Sequence, residues 1–267
     1  IRDRYRAINY LNRTHPGAYT LYSFPNSSLA GYVNGPFVGD WYGPARYADY
    51  LAQLNNPEGM YQFLHKHGVN YVLMGQVSGI GAGHSDETMQ PEQLHGHLKM
   101  VYAAESVVYE VVDKPLRVSE TPELIVNGEL EQPLTDGAPP GWTVRNKPLL
   151  DTSTQQAWHS TTAVGTTGDD WIEQTVAVEA SALYIFRVLA RATEKAQFAV
   201  YEVEWQDASG QPLSTFQRIM SSLVDWYPRA TAVTSPPGAA RARIRAACTG
   251  PNLIWFDWFS FKKLSYR

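Results

Sequence analysis

The sequence predicts a small α/β domain followed by an all-β jelly-roll sandwich. Three observations carry that reading. Apolar residues recur at helical spacing only in the first half of the chain. From Glu123 onward that period disappears, and short strand-like runs separated by turn residues take over. Between the two lies Lys114–Pro122, with two prolines, which reads as a linker. The expected organisation is therefore an α/β domain over 1–113, a linker over 114–122 and a sandwich over 123–267.

In order, Ile1, Tyr5, Ile8 and Leu11 mark a helix that ends before Thr14-His15-Pro16-Gly17. Ala18–Phe24 reads as a short strand. Asn56 is a candidate N-cap, with Pro57 pre-set for the first helical position. Met60, Phe63, Leu64 and His67 then keep one face, and Gly68 supplies the stop. Val69–Met74 is an apolar run too short for a helix. A second helix from about Pro91 to Leu98 leads into Lys99–Ala103 and Val107–Val112, a hairpin. Beyond the linker, the strand candidates are Trp171–Val178, Leu183–Ala192, Phe198–Trp205, Ala230–Thr234, Ala242–Cys248 and Leu253–Phe261. Turn clusters such as Asp207-Ala208-Ser209-Gly210 and Ser235-Pro236-Pro237-Gly238 separate them. Many short strands without intervening helices imply an antiparallel sandwich or jelly roll.

The chain has 267 residues, enough for one large domain or two ordinary ones. With 18% charged residues and a net charge of −4 it carries no electrostatic footprint for nucleic acid. Aromatic residues make up 12%, a content that fits both sugar-binding surfaces and a thick core. The single Cys248 excludes an intrachain disulfide. It ends the alternation Ala242, Ile244, Ala246, Cys248, opposite Arg241, Arg243 and Arg245, and so belongs to a core face. No apolar run approaches the roughly 20 residues that span a bilayer. The start at Ile1-Arg2-Asp3-Arg4 falls inside a helical pattern, so the chain reads as a piece of a longer protein.

Asp257 stands in the aromatic run Leu253–Phe261, and strict alternation places it on one face with Trp255, Phe259 and Phe261. An ionised carboxylate on an apolar face is costly unless paired or metal-bound. The segment Asn127-Gly128-Glu129-Leu130-Glu131 offers two more carboxylates. A hard cation such as calcium, held by oxygens from both ends of the domain, would solve the problem. An arginine partner or backbone hydrogen bonds would solve it equally.

The segment Asn127–Glu131, then Pro140-Gly141-Trp142, resembles the start of family 4, 9 and 22 carbohydrate-binding modules. Ile172–Val176, Tyr184–Arg187, Ala190–Ala192, Trp205–Gly210, Trp226 and Pro237–Arg241 keep that family's order, and Trp255–Phe261 is similar to its closing strand. The resemblance implies a structural calcium with Glu131 and Asp257 as ligands and Glu129 as a further candidate. It also implies glycan binding, which relies on flat aromatic faces. Trp142, Trp158, Trp171, Trp205, Trp226 and Tyr227 are the aromatic candidates. Trp205 shares parity with Tyr201 and Val203 and reads as core. Trp158 and Trp142 lie in loop-like sequence and lead the list, followed by Trp226 and Tyr227.

In the first half, Tyr10-Leu11-Asn12, Pro16–Leu21, Gly59–Leu73, Leu98–Tyr102 and Val107–Val111 resemble the soluble C-terminal region of bacterial polytopic C-type glycosyltransferases. This resemblance covers residues 1–113. It implies an extracytoplasmic location, a membrane-embedded body as partner and a glycan or lipid-linked saccharide as ligand. In that class the catalytic acid sits in the membrane body, so this chain is expected to be non-catalytic by itself. The rival expectation is a structural or protein-interaction sandwich that binds no sugar.

Other constellations fall away. Gly79-Ile80-Gly81-Ala82-Gly83-His84 lacks the third glycine of a dinucleotide turn. His65 and His67, like His95 and His97, are two residues apart and diverge by about 200° on a helix, so neither pair is a ready zinc clamp. Ser85, His84 and Asp86 are adjacent and cannot supply triad geometry.

Overall fold

The computed structural model describes residues 2–23, 27–38, 48–53, 56–75, 96–132, 134–135, 137–146, 149–151, 162–168, 170–193, 197–222, 225–249 and 253–267. The chain divides into two units, one comprising Ile1–Ser119 with Ser265–Arg267, the other Glu120–Leu264.

In the first unit, α1 (Arg2–Thr14) precedes β1 (Leu21–Ser23) and β2 (Phe37–Val38), and α2 (Pro57–Lys66) leads to β3 (Tyr71–Gly75). The hairpin is β4 (Leu98–Ala103) and β5 (Ser106–Val111). They form a sheet in the order β2-β1-β3-β5-β4, with β1 parallel to both β2 and β3. The crossover from β1 to β3 contains α2, as a parallel pair requires. Asn56 caps α2 by accepting from the Gly59 amide at 3.0 Å. Gly68, at φ +64, turns the chain out of it, a conformation that costs glycine little. Ala7, Ile8 and Leu11 of α1 pack on Leu21, Tyr71, Leu73 and Val108 of the sheet. The expected helix over Pro91–Leu98 is corrected at its end, because Gly96 and His97 form a turn and Leu98 opens β4. Residues 91–95 lie outside those described.

The Lys114–Pro122 stretch contains a strand, β6 (Val118–Glu120), paired with the last strand. Arg117 and Arg267 exchange two backbone hydrogen bonds, of 2.7 and 2.9 Å. Within the first unit the Met100 amide donates to the Tyr266 hydroxyl at 3.0 Å.

The second unit is a β-sandwich. Its strands are β7 (Thr143–Arg145), β8 (Leu149–Asp151), β9 (Ala163–Thr166), β10 (Trp171–Ala177), β11 (Leu183–Ala192), β12 (Gln197–Gln206), β13 (Pro212–Ser222), β14 (Tyr227–Thr234), β15 (Arg241–Thr249) and β16 (Ile254–Tyr266). The front sheet runs β13-β12-β15-β10-β7 and the back sheet β14-β11-β16-β9-β8. Between them lies an aromatic core. Phe186 meets Tyr201 with ring centroids 6.3 Å apart, Tyr201 meets Phe256 at 6.1 Å, and Trp205 meets Tyr184 at 5.7 Å. Ala242, Ile244, Ala246 and Cys248 all face this core, and burial pushes the Cys248 thiol pKa up. β13 was not expected. Most of its described side chains are exposed, so its sequence carries little core alternation.

The side of the sandwich between β10 and β16 is closed by the segment 123–130. Gln174 donates to the Val126 carbonyl at 2.9 Å and accepts from its amide at 2.7 Å. The Phe259 amide donates to the Gly128 carbonyl at 2.8 Å. A Cβ at Gly128 would come within 2.2 Å of the Phe259 carbonyl oxygen, so only glycine allows this approach.

Strict alternation fails in β16. Val188 pairs with Phe259 but Leu189 pairs with Asp257, leaving Trp258 as the extra residue of a β-bulge at φ +47. The bulge resets the parity. Phe256, Phe259 and Phe261 face the core, whereas Asp257 shares the outer side with Trp255 and does not join Phe259 and Phe261 as expected.

Candidate functional site

Pairing register puts one set of polar side chains on the outer face of the front sheet. Across the strands run Gln217, Glu202, Arg245, Glu173 and Thr143, and the next row holds Thr215, Glu204, Arg243 and Thr175. β15 contributes the central cations, and β12 and β10 flank it with carboxylates. Arg245 reaches Glu173 and Glu202, both at 3.1 Å. Arg243 reaches Glu204 at 2.6 Å and Glu173 at 3.9 Å. Gln217 donates to Glu202 at 3.1 Å, and Gln206 donates to Glu204 at 2.7 Å. This ladder fixes long side chains at defined positions, as cross-strand opposite charges do.

Trp171 rises at the end of this ladder. It is half-buried, in a row with Arg145, Ala247, Val200 and the exposed Ile219. The Arg145 guanidinium carbon lies 4.3 Å from its ring centroid and that of Arg245 lies 4.4 Å away. One comes from each neighbouring strand, and both are within cation–π range. The indole Nε1–H is buried and meets no acceptor among the described residues. The face thus combines a planar aromatic ring, an apolar row and an array of directed donors and acceptors.

The other expected aromatic positions do not meet here. Trp142 is buried, its ring 4.6 Å from Phe259 and its Nε1–H donating to the Asn127 carbonyl at 3.0 Å. The expectation of a loop-borne stacking ring is therefore corrected: Trp142 belongs to the plug that closes the sandwich. Trp226 is half-buried, with the Arg191 guanidinium 5.5 Å from its ring. Arg191 pairs with Trp255 in the back sheet, so Trp226 lies with the back sheet and away from Trp171. Tyr227 opens β14; its side chain, like all of Trp158, is outside what is described. Trp205 lies in the core.

Asp257 is fully buried, and its carboxylate accepts from the Trp258 amide at 2.6 Å. Glu129 and Glu131 are exposed, although the Gly128–Phe259 hydrogen bond brings their segment to β16. No group of three His, Cys, Asp or Glu among the described residues could hold a metal ion. A calcium ion at this corner fits only if backbone carbonyl oxygens complete its shell, which hard cations accept. Glu123, not singled out from sequence, accepts from three backbone amides, those of Phe261 (2.6 Å), Leu124 (3.1 Å) and Ile125 (3.2 Å).

In the first unit, His97 stacks on Tyr61 at 4.0 Å and its Nδ1 meets the Val112 carbonyl at 2.8 Å. A carbonyl can only accept, so Nδ1 carries the proton and is unavailable to a metal. Tyr61 donates to Asp113 at 3.0 Å. These contacts fasten the end of β5. His84 and His95 lie outside the described residues.

A family model described as SF2091/S2213 matches residues 2–108. None of the curated proteins matches the chain. Among solved structures, the chain is similar to the enzymatically active domain of tailspike protein 4 of Bacteriophage CBA120, at 14% identity and a TM-score of 0.43, over 53% of this chain and 21% of that one. It is similar to the CBM22-1 xylan-binding domain of Paenibacillus barcinonensis Xyn10C, at 16% identity and a TM-score of 0.40, over 51% of this chain and 90% of that one. It is also similar to a family 16 carbohydrate-binding module, at 16% identity and a TM-score of 0.39, over 52% of this chain and 98% of that one. Carbohydrate-binding modules thus stand among its structural neighbours.

The residues that sequence reading missed at the front face are Arg145, Glu173, Glu202 and Glu204. Glu202 and Glu204 alternate with the core residues Val203 and Trp205, and that parity was the available signal. Their pairing with β15 depends on register, which no local pattern contains.

Proposed function

We propose that the second unit binds a glycan on the outer face of its front sheet. The observation that carries this reading is Trp171, half-buried on a sheet surface and bordered by fixed hydrogen-bonding side chains. Sugars present apolar C–H faces and rings of hydroxyls, and this surface offers matching chemistry to both. A single such site should bind weakly, at about 10 μM to 1 mM, because a few contacts must offset the cost of association. The test is a glycan panel probed with the whole chain, followed by Trp171→Ala. Binding lost with the fold intact supports the reading. No glycan retained, or retention unaffected by Trp171→Ala, sinks it.

A second reading is favoured by one specific observation: Arg243, Arg245 and the three glutamates already form ion pairs with one another. A ladder of this kind can serve as structure alone, and the sandwich would then support a protein partner without binding sugar.

For the whole protein, the resemblance of residues 1–113 supports an extracytoplasmic, non-catalytic part of a membrane glycosyltransferase of cell-envelope assembly. The sandwich would hold acceptor or product near the membrane-embedded body and raise its effective concentration. No helix among the described residues is long and apolar enough to cross a membrane. The coding sequence upstream of Ile1 tests this part, and a plain secretory leader there would remove it. A structural calcium at the Asp257 corner, with Glu131 and Glu129 as further oxygen donors, belongs to the same proposal. The buried Asp257 carboxylate supports it.

A further inference from the structure

We propose that the saccharide taken by the front face carries an anionic group, a uronate carboxylate or a phosphate, and that Arg145 leaves the Trp171 ring to bind it. This rests on the glycan-binding reading and adds the ligand's charge.

A sugar can stack on an aromatic ring only where a ring face is free, and two guanidiniums lie against Trp171. They are not equivalent. Arg245 is tied to Glu173 and Glu202 at 3.1 Å each, and removing it would strand both carboxylates. Arg145 is exposed and pairs with no carboxylate among the described residues. It sits on β7, the three-residue edge strand of the sheet, so no further strand of that sheet lies beyond it. Arg145 is therefore the movable cover of the ring.

What could draw it away follows from charge. The described outward positions of the front sheet carry Arg145, Arg241, Arg243 and Arg245 against Glu173, Glu202 and Glu204, four cations to three anions. The face has a surplus positive charge on a chain whose net charge is −4. A neutral sugar would have to displace Arg145 and offer its guanidinium only uncharged hydroxyl acceptors in return. An anion on the sugar receives it in a two-pronged, charge-assisted hydrogen bond, a stronger contact than an exposed cation–π pair. The Trp171 Nε1–H, buried on the same ring, meets no acceptor among the described residues.

The experiment is calorimetry of the whole chain against an oligouronide, its carboxyl-reduced neutral counterpart and a phosphorylated oligosaccharide. The expected result is binding of an anionic sugar about 10-fold or more ahead of the neutral one. Whichever anion ranks first identifies the group. Arg145→Gln should bring the anionic ligand down to the neutral level, with the fold unchanged by circular dichroism. Equal binding of charged and neutral sugars, or a preference that survives Arg145→Gln, overturns the inference and leaves glycan binding standing. Binding of none of the three overturns both.

Discussion

On the outer face of the front sheet, Trp171 stands half-buried between Arg145 and Arg245, and Glu173, Glu202 and Glu204 line up beside it in contact with solvent. On the outer side of the back sheet, Trp255, Asp257, Leu189 and Ser260 are all buried. Each face thus offers a tryptophan, an acid and an arginine within a few residues of one another. In the front-face set Arg145 is exposed and the others have intermediate exposure, and Arg243 and Arg245 are matched with the glutamates across strands. The acid of the back-face set is sealed in and accepts from the Trp258 amide. A ligand can reach the first set. The second can act only on stability, and this division orders the expected effects of mutation.

The largest effect separates two tryptophans: Trp142, which the sequence reading placed among its leading stacking candidates, and Trp171, which stood below it. Trp142 fills the seam between the sheets and donates to the Asn127 carbonyl, so Trp142→Ala leaves a cavity and an unmet acceptor. The expected loss is about 3–5 kcal/mol in denaturant unfolding. Trp171→Ala should cost only about 1 kcal/mol, the scale of an exposed cation–π pair, while abolishing glycan binding. Equal stability losses at the two positions would erase the distinction between seam and surface.

A metal at the Asp257 corner would be the next largest effect. If calcium binds the folded state alone, chelation should remove about 2–3 kcal/mol, as expected for an ion present near 100 times its dissociation constant. Melting temperature with and without chelator measures it. Asp257→Asn should lower stability and also make the protein indifferent to chelator. An unmoved melting temperature would leave the buried carboxylate to its protein contacts alone.

The sequence made much of this legible, and the failures have local physical causes. The helix α2 was readable because its period, cap and stop all agreed, with Asn56, Pro57 and Gly68 each in its expected role. The core face of β15 was readable because small apolar residues alternate with arginines. Asp257 was correctly singled out as buried, but its face was assigned wrongly. Parity holds only until a bulge, and nothing in Trp255–Phe261 announces that Trp258 is the inserted residue. Trp142 looked like loop because glycine and prolines precede it. What buries it is Phe259, more than a hundred residues later. The front-face ladder was half visible, as three alternating arginines, but its acidic half comes from strands whose register is a property of the fold.

The smallest expected effect concerns the ion pair that the back sheet does expose. Arg187 donates two hydrogen bonds to Glu120, and Lys262 lies 3.7 Å from the same carboxylate. The hydrogen bond from Arg187, then the nearby positive charges, holds the Glu120 pKa below its ordinary value of 4.5. A depressed folded-state pKa means that the unfolded chain takes up the proton first. The stabilisation is therefore fully present above about pH 4.5 and is lost as pH falls through the lowered folded value. The Glu120 side chain keeps 33% of its exposure, so solvent screening limits the contribution to under about 1 kcal/mol. Glu120→Gln should be slightly less stable than the parent at about pH 6, and the gap should narrow as pH falls from about 4.5 to about 3. Urea unfolding of both proteins at these pH values measures it. A gap that persists at low pH would mean that Glu120 acts through packing and hydrogen bonding of its neutral form. The Arg187–Glu120 contact would then owe nothing to charge, unlike the matched charges of the front face.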